Sequence, residues 1–334
     1  MPKLNLLVNL SPEMLSCPVV QPYFKRMSAY ATLRKRSFDR PEEIARDMQW
    51  ADAVIMNSWP VHTLDSLERT KLQYCGHLDL NQRGAKALLA HGVPTSISRK
   101  GYSPAVSEMA LGLILNCLRG ISTYHDQMRR GKEPWVKRFP GGVPAVERQL
   151  MGRTVGIIGF GQVGQRLGEL LAPFWCTLNI YDPHLPDVVL QKFGAKKMDL
   201  HGLIRASEIV VLCAASNAGT NHLIGGKELK LFKKDAVLIN VARAALVDTK
   251  ALVGRLKKQD MFAAIDVFDK EPLEKSSPLR KLPNAFLTPH RAGGLYESVE
   301  RIVGFLVDDL EAYLAGKPRQ HALTEQMIPA LDAW

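Results

Sequence analysis

Short apolar runs alternate with amphipathic stretches along nearly the whole chain. In its first third, LNLLVNL (Leu4 to Leu10), AVIMN (Ala53 to Asn57), LQYC (Leu72 to Cys75) and TSIS (Thr95 to Ser98) predict strands. Pro41 to Trp50, with a proline and two glutamates in its first turn, and Arg83 to His91, halted by Gly92, predict helices between them. From Pro104 to Arg130 a long helix is expected without a break, apolar through its middle. The charged, Gly- and Pro-rich stretch from Gly131 to Gly142 then reads as a loop and a boundary. A second series opens at Arg153: TVGIIG, TLNIYD, EIVVLC, AVLIN, FAAIDV and AFLT predict strands ending near Thr288. Val163, Leu167, Leu170, Leu171 and Phe174 share one helical face, as do Leu252, Val253 and Leu256. A last helix, Glu297 to Ala315, carries Val299, Val303, Leu306, Leu310, Tyr313 and Leu314 at helical spacing. Strands and helices in alternation predict an α/β fold, its parallel sheets covered on both faces.

Composition narrows the class without changing that picture. A length of 334 residues, 46% hydrophobic and 23% charged, suits two globular domains. The most apolar run, Met109 to Leu115, is too short to span a membrane, so no membrane partner is expected. The opening MPKLNLLVNL has no cleavage pattern behind it and reads as a first strand. The five cysteines are scattered without C-x-x-C spacing, which argues against a disulfide framework or a metal site and for a reducing, cytoplasmic location. The net charge of +11 comes from basic pairs spread along the chain, such as Arg129–Arg130, Lys196–Lys197 and Lys257–Lys258. With no nucleic-acid motif beside them, they predict a surface that favours small anions, not nucleic acid.

One segment adds chemistry. VGIIGFGQVGQRLGELL sets Gly159, Gly161 and Gly164 in G-x-G-x-x-G spacing between a predicted strand and an amphipathic helix, and Asp182 closes the next strand. In a dinucleotide site the first glycine permits the tight turn, the second lets the backbone reach the pyrophosphate, and the third lets helix and strand pack closely. The helix N-terminus meets the phosphates, and Asp182 accepts from the adenosine ribose while repelling a 2′-phosphate. Pro183 and His184 supply no arginine to receive one, so NAD is favoured over NADP.

Three more polar residues follow apolar strands: Arg243 after AVLINVA, Glu271 just beyond FAAIDVF, and His290 after AFLTP. Singly, each is equally readable as a surface arginine, a first-turn acid or a structural histidine. Together they suit the oxidation of a 2-hydroxy acid, which needs a base for the hydroxyl proton and a cation for the carboxylate. Histidine titrates near neutrality, a carboxylate on its second nitrogen orients it, and arginine grips a planar carboxylate through paired hydrogen bonds.

The segments GIIGFGQVG, NVARAALVD, AAIDVFDKEP and TPHRAGG, in this order, resemble the D-isomer-specific 2-hydroxyacid dehydrogenase family, over essentially the whole chain and most strongly from Gly152 to Gly294. The resemblance implies Arg243 as the substrate-binding arginine, Glu271 as the partner of the histidine, and His290 as the acid/base. It places Gln162, Val163, Ala242, Asp266 and Ser107 with Gly159, Gly161 and Asp182 around the cofactor, and Gly76, His77 and Leu78 in the substrate loop. It implies two Rossmann-like, doubly wound parallel-sheet domains, the nucleotide domain (119–295) inserted into a discontinuous substrate domain (1–118 and 296–334). It also implies a homodimer and a small anionic 2-keto or 2-hydroxy acid as substrate.

Some positions depart from the family pattern. Cys213, Ala214 and Ala215 stand where a His-x-Pro stretch is usual, Ala244 replaces a glycine, and Arg291 follows the histidine. The substrate loop, Cys75-Gly76-His77-Leu78-Asp79, is altered, and His77 is equally readable as a solvent-facing loop residue; the change suggests a larger or more polar substrate than lactate or glyoxylate. Dehydrogenation of another small anion such as phosphite, or a non-enzymatic NAD(H)-sensing role on the same scaffold, are the alternative readings.

Overall fold

The computed structural model describes residues 3–38, 41–57, 67, 70–132 and 147–332. In chain order the elements are β1 (Leu4–Asn9), α1 (Pro12–Ser16), α2 (Gln21–Ser28), β2 (Ala31–Arg36), α3 (Pro41–Trp50), β3 (Ala53–Met56), β4 (Tyr74–His77), α4 (Gln82–Ala90), β5 (Thr95–Ile97) and α5 (Ser103–Arg119). There follow α6 (Ile121–Arg129), β6 (Thr154–Ile158), α7 (Gln162–Leu171), β7 (Thr177–Tyr181), α8 (Asp187–Lys192), β8 (Lys196–Lys197), α9 (Leu200–Ala206) and β9 (Ile209–Leu212). The series closes with α10 (Gly226–Leu229), β10 (Ala236–Asn240), α11 (Thr249–Leu256), β11 (Met261–Ile265), β12 (Ala285–Leu287) and α12 (Tyr296–Leu314). No single helix among the described residues is long and apolar enough to cross a membrane.

The chain divides into two compact units, Met1–Ser103 with Gly294–Trp334, and Pro104–Gly293. The sequence places this change at 118/119 and 295/296; the structure moves it to 103/104 and 293/294. Helix α5 accounts for the first shift, because Ala110, Leu113, Ile114, Cys117 and Leu118 enter the core of the second unit. The predicted unbroken helix from Pro104 to Arg130 is in fact two. Gly120 takes a left-handed φ of 59°, the Asn116 side chain accepts from Ser122 N, and α5 and α6 diverge by 63°. Of the loop expected from Gly131 to Gly142, residues 133–142 lie outside the described residues.

The first unit is a five-stranded parallel sheet of order β2-β1-β3-β4-β5. One face is covered by α2 and α12, whose Ile302, Val303, Leu306, Val307 and Leu310 pack on Leu6, Val8 and Ile55. On the other face Ile44, Met48, Ala85 and Leu88 pack on Leu7, Val54 and Met56. Strand β2, absent from the hydrophobic pattern, is an edge strand carried by charge. Arg34 and Arg36 each reach Asp47 at 2.7 Å, Arg34 lies over the Trp50 ring, and Lys35 lies over Phe24.

The second unit is a seven-stranded parallel sheet of order β12-β11-β10-β9-β6-β7-β8, between two apolar clusters. The strand order reverses at β6, which pairs with both β7 and β9. Open α/β sheets bind ligands beyond the strand ends at such a switch point.

Candidate active site

The three glycines of the β6–α7 turn are set apart by their surroundings. Gly159 has φ +85°, and a Cβ there would lie 2.5 Å from Ala214 N, so only glycine fits. A Cβ on Gly164 would lie 2.5 Å from Gly159 O, which keeps α7 tight against the turn. A Cβ on Gly161 would meet nothing within 4 Å. Gly161 is the N-cap of the ten-residue α7 and no side chain caps it. The helix start therefore presents backbone N–H groups to open space, the surroundings a pyrophosphate needs. Gln162 and Val163 form the first turn.

Asp182 follows β7 and braces this turn: its Oδ2 accepts from Phe160 N at 2.8 Å and its Oδ1 from His184 N at 3.0 Å. Each oxygen keeps a second lone pair, so a ribose hydroxyl can still be received. Across the switch point Cys213 N donates to Ile158 O, and burial pushes the Cys213 thiol up to about 12. Cys213 and Ala214 thus wall the glycine turn with backbone and neutral surface, within the stretch Cys213 to Ala215 that departs from the His-x-Pro pattern.

Three adjacent strands deliver the remaining polar groups. Asn240 ends β10 and is followed by Ala242 and Arg243; Asp266 lies one residue past β11, with Glu271 in the loop beyond; His290 follows β12. His290 Nδ1 donates to Glu271 Oε2 at 2.7 Å, and the other carboxylate oxygen accepts from Phe268 N. Burial raises the Glu271 carboxyl, but the His290 hydrogen bond, the Phe268 N–H and the charges of His290 and Arg243 outweigh it and hold the group below the ordinary glutamate value. An ionised carboxylate offers only acceptors, so Nδ1 carries a proton and Nε2 is the nitrogen left for chemistry. Arg243 Nη1 donates to Ala242 O.

Two buried side chains support these loops. Asp266 is fully buried, and its carboxylate accepts from Thr288 Oγ1 at 2.6 Å and from Arg291 N and Ala292 N at 2.9 Å, while its carbonyl accepts from His290 N. That carboxylate therefore holds the His290 loop, and its Oδ2, which accepts only from Ala292 N, keeps a lone pair beside it. His290 keeps a left-handed φ of 51°, unusual without glycine, and this cradle maintains it. Asn240 is the residue that sequence reasoning missed, since an asparagine closing a strand carries no signal beyond turn propensity. Ser107, also expected at the cofactor, is buried in α5 and its hydroxyl donates back to Pro104 O.

The expected substrate loop behaves differently. Gly76 and His77 belong to β4, which runs two residues beyond the predicted strand, and His77 and Leu78 are fully buried. A Cβ on Gly76 would lie 3.3 Å from Ile55 and 3.4 Å from Leu306. Leu78 N donates to Met56 O, and Asp79 N donates to His77 Nδ1. His77 is thus buried at the end of β4, which overturns the alternative of a solvent-facing loop residue. Burial pushes its imidazole down to about 3, so it stays neutral. All five cysteines are free, and among the described residues no His, Cys, Asp or Glu cluster is placed to hold a metal.

The sequence profile of the D-isomer specific 2-hydroxyacid dehydrogenase NAD binding domain matches residues 111–292. The chain belongs to that family. The members of the D-2-hydroxyacid dehydrogenase family are oxidoreductases acting on CH–OH donors, and the second unit carries the family's NAD-binding fold. The chain is 30% identical over 314 residues to glycerate dehydrogenase of Methylorubrum extorquens, covering 89% of this chain and 96% of that one. It is also 30% identical over 295 residues to D-3-phosphoglycerate dehydrogenase of Methanocaldococcus jannaschii, covering 86% of this chain but only 54% of that longer protein. The structure of a phosphoglycerate oxidoreductase from Rhizobium etli superposes with a TM-score of 0.82 at 23% identity, over 96% of this chain and 97% of the other, a likeness of fold.

Proposed function

We propose that this family member interconverts a small 2-keto acid and its 2-hydroxy acid with NAD(H), using Arg243, Glu271 and His290. The observation that carries the reading is the 2.7 Å His290–Glu271 hydrogen bond, formed where the Arg243 charge is also felt, at the ends of neighbouring strands. Bound NADH would supply the hydride for the carbonyl carbon. The protein's own share is to hold the acid and move its proton. Arg243 grips the substrate carboxylate through paired hydrogen bonds and draws electron density from the neighbouring carbonyl. Protonated His290 gives its Nε2 proton to the carbonyl oxygen as negative charge develops there, and Glu271 stabilises the imidazolium beforehand. In the reverse direction neutral His290 takes the hydroxyl proton.

The cofactor is held by the Gly159–Val163 turn and Ala242, with Asp182 selecting a free ribose 2′-hydroxyl. A homodimer in the cytoplasm is part of the same proposal. The family resemblance supports the dimer, and so does α6, whose Ile121 and Met128 lie one heptad apart and are exposed. A monomeric mass by light scattering would remove the dimer.

Arg243→Lys tests the carboxylate grip, because it keeps the charge and loses the planar fork. We expect kcat/KM for glyoxylate to fall by more than about tenfold, beyond the value of a simple surface ion pair, with NADH affinity little changed. Near-wild-type activity of the lysine variant would place the carboxylate site elsewhere.

A further inference from the structure

The site geometry leaves one buried polar side chain without a role. Asn240 is only 3% exposed, yet it closes an otherwise apolar strand. Its Oδ1 accepts from Ala242 N at 3.1 Å, and its Nδ2 donates to Arg243 O at 3.0 Å. Its own carbonyl accepts from Asp266 N at 3.0 Å, tying the base of the Arg243 loop to the residue that holds the His290 loop. One amide therefore pins the Val241–Ala242 and Arg243–Ala244 peptide groups, which bracket Ala242 and Arg243; the Arg243 backbone is extended at φ −141°, ψ 143°.

We infer that Asn240 is a positioning residue: it sets the direction in which Arg243 leaves the backbone, and so the place of the guanidinium that receives the substrate carboxylate. The inference rests on the proposed role of Arg243. A long side chain magnifies a small rotation at its base, and a misplacement of about 1 Å at a reacting centre costs up to about a hundredfold in rate. Both bonds are needed, because one alone leaves the loop free to turn about the other. The residue type follows: an amide carries the donor and the acceptor that the two peptide groups require, whereas aspartate supplies only acceptors. Asn240 also lines a cavity of about 190 Å³ beneath the loops that carry Arg243 and Glu271. In an alanine variant water can enter this space and satisfy the exposed peptide groups without fixing their direction. The fold is then kept and the aim of Arg243 is lost.

Purified full-length Asn240→Ala and Asn240→Asp, Arg243→Ala, and the Asn240→Ala/Arg243→Ala double variant are compared with wild type. Glyoxylate kinetics, NADH binding by fluorescence and thermal melting are measured for each. Either Asn240 variant should lose about tenfold or more in kcat/KM for glyoxylate, mainly through KM, with NADH affinity kept within about twofold. Asn240→Asp, close in shape, serves if the alanine variant does not fold. In the double variant the Asn240 change should cost no more than about twofold beyond Arg243→Ala alone, because the group it positions is gone. Losses that multiply, or a parallel loss of NADH affinity, would make Asn240 structural only and overturn the inference. Sharp impairment of Arg243→Ala with none in either Asn240 variant would overturn this inference alone. Wild-type turnover by Arg243→Ala would overturn the carboxylate reading and this inference with it.

Discussion

His290 and Glu271 are joined by a hydrogen bond of 2.7 Å, and the two have different tasks in the proposed reaction. Replacing His290 with alanine removes the group that handles the proton while leaving the glycine turn untouched. Turnover should fall by at least about a hundredfold with NADH binding kept; activity within a few-fold of wild type would take His290 out of its role. Glu271→Gln keeps a hydrogen-bond acceptor and removes the charge that favours the imidazolium. The acid form needed for keto-acid reduction then persists only in more acidic solution, so the pH–rate profile should move to lower pH. An unmoved profile would mean that another group supports the imidazole. At this scale the sequence was informative wherever a motif carried its context: Gly159, Gly161 and Gly164 lie in the turn between β6 and α7, and Asp182 follows β7. It was silent on Asn240 and on the support Asp266 gives the His290 loop, because the three donors that meet this carboxylate come from a loop 22 to 26 residues further on.

At the scale of elements, strands with apolar faces were legible and those stabilised by other means were not. Strand β2 reads Ala-Thr-Leu-Arg-Lys-Arg, and its place at the sheet edge depends on Asp47, Trp50 and Phe24 from other elements. Strand β4 looked finished at Cys75, because Gly76 and His77 read as loop residues. Burial of a neutral histidine with a bonded Nδ1 extends it to His77. That burial has a consequence for stability. The folded imidazole is pushed down to about 3 from 6.5, so the unfolded chain binds a proton in that interval that the folded chain refuses. Stability from this group is complete above about pH 6.5 and is lost as the pH falls toward about 3. His77→Asn keeps an acceptor for Asp79 N and removes the titration. Its melting temperature, although lower at neutral pH, should fall less steeply on acidification than that of wild type. Parallel pH dependences in the two proteins would show that other groups carry the acid sensitivity.

For the whole molecule, the alternation of strands and helices was enough to predict two parallel-sheet units. The boundary was less legible, since α5 is apolar on enough of its surface to suit either core and the divide falls at its start, between Ser103 and Pro104. The break at Gly120 was hidden for a similar reason: glycine within an apolar helix is tolerated, and only its left-handed φ makes it a hinge between axes. The positive charge, +11 over 334 residues, complements a substrate that is a small anion. The most direct measurement is therefore the oxidation of NADH by the purified full chain, followed optically across a panel of 2-keto acids of increasing side-chain size and polarity, with NADPH run in parallel. Turnover of at least one keto acid, loss of that turnover in His290→Ala, and a clear preference for NADH are expected. No turnover of any keto acid, with NADH still bound, would contradict the proposed function.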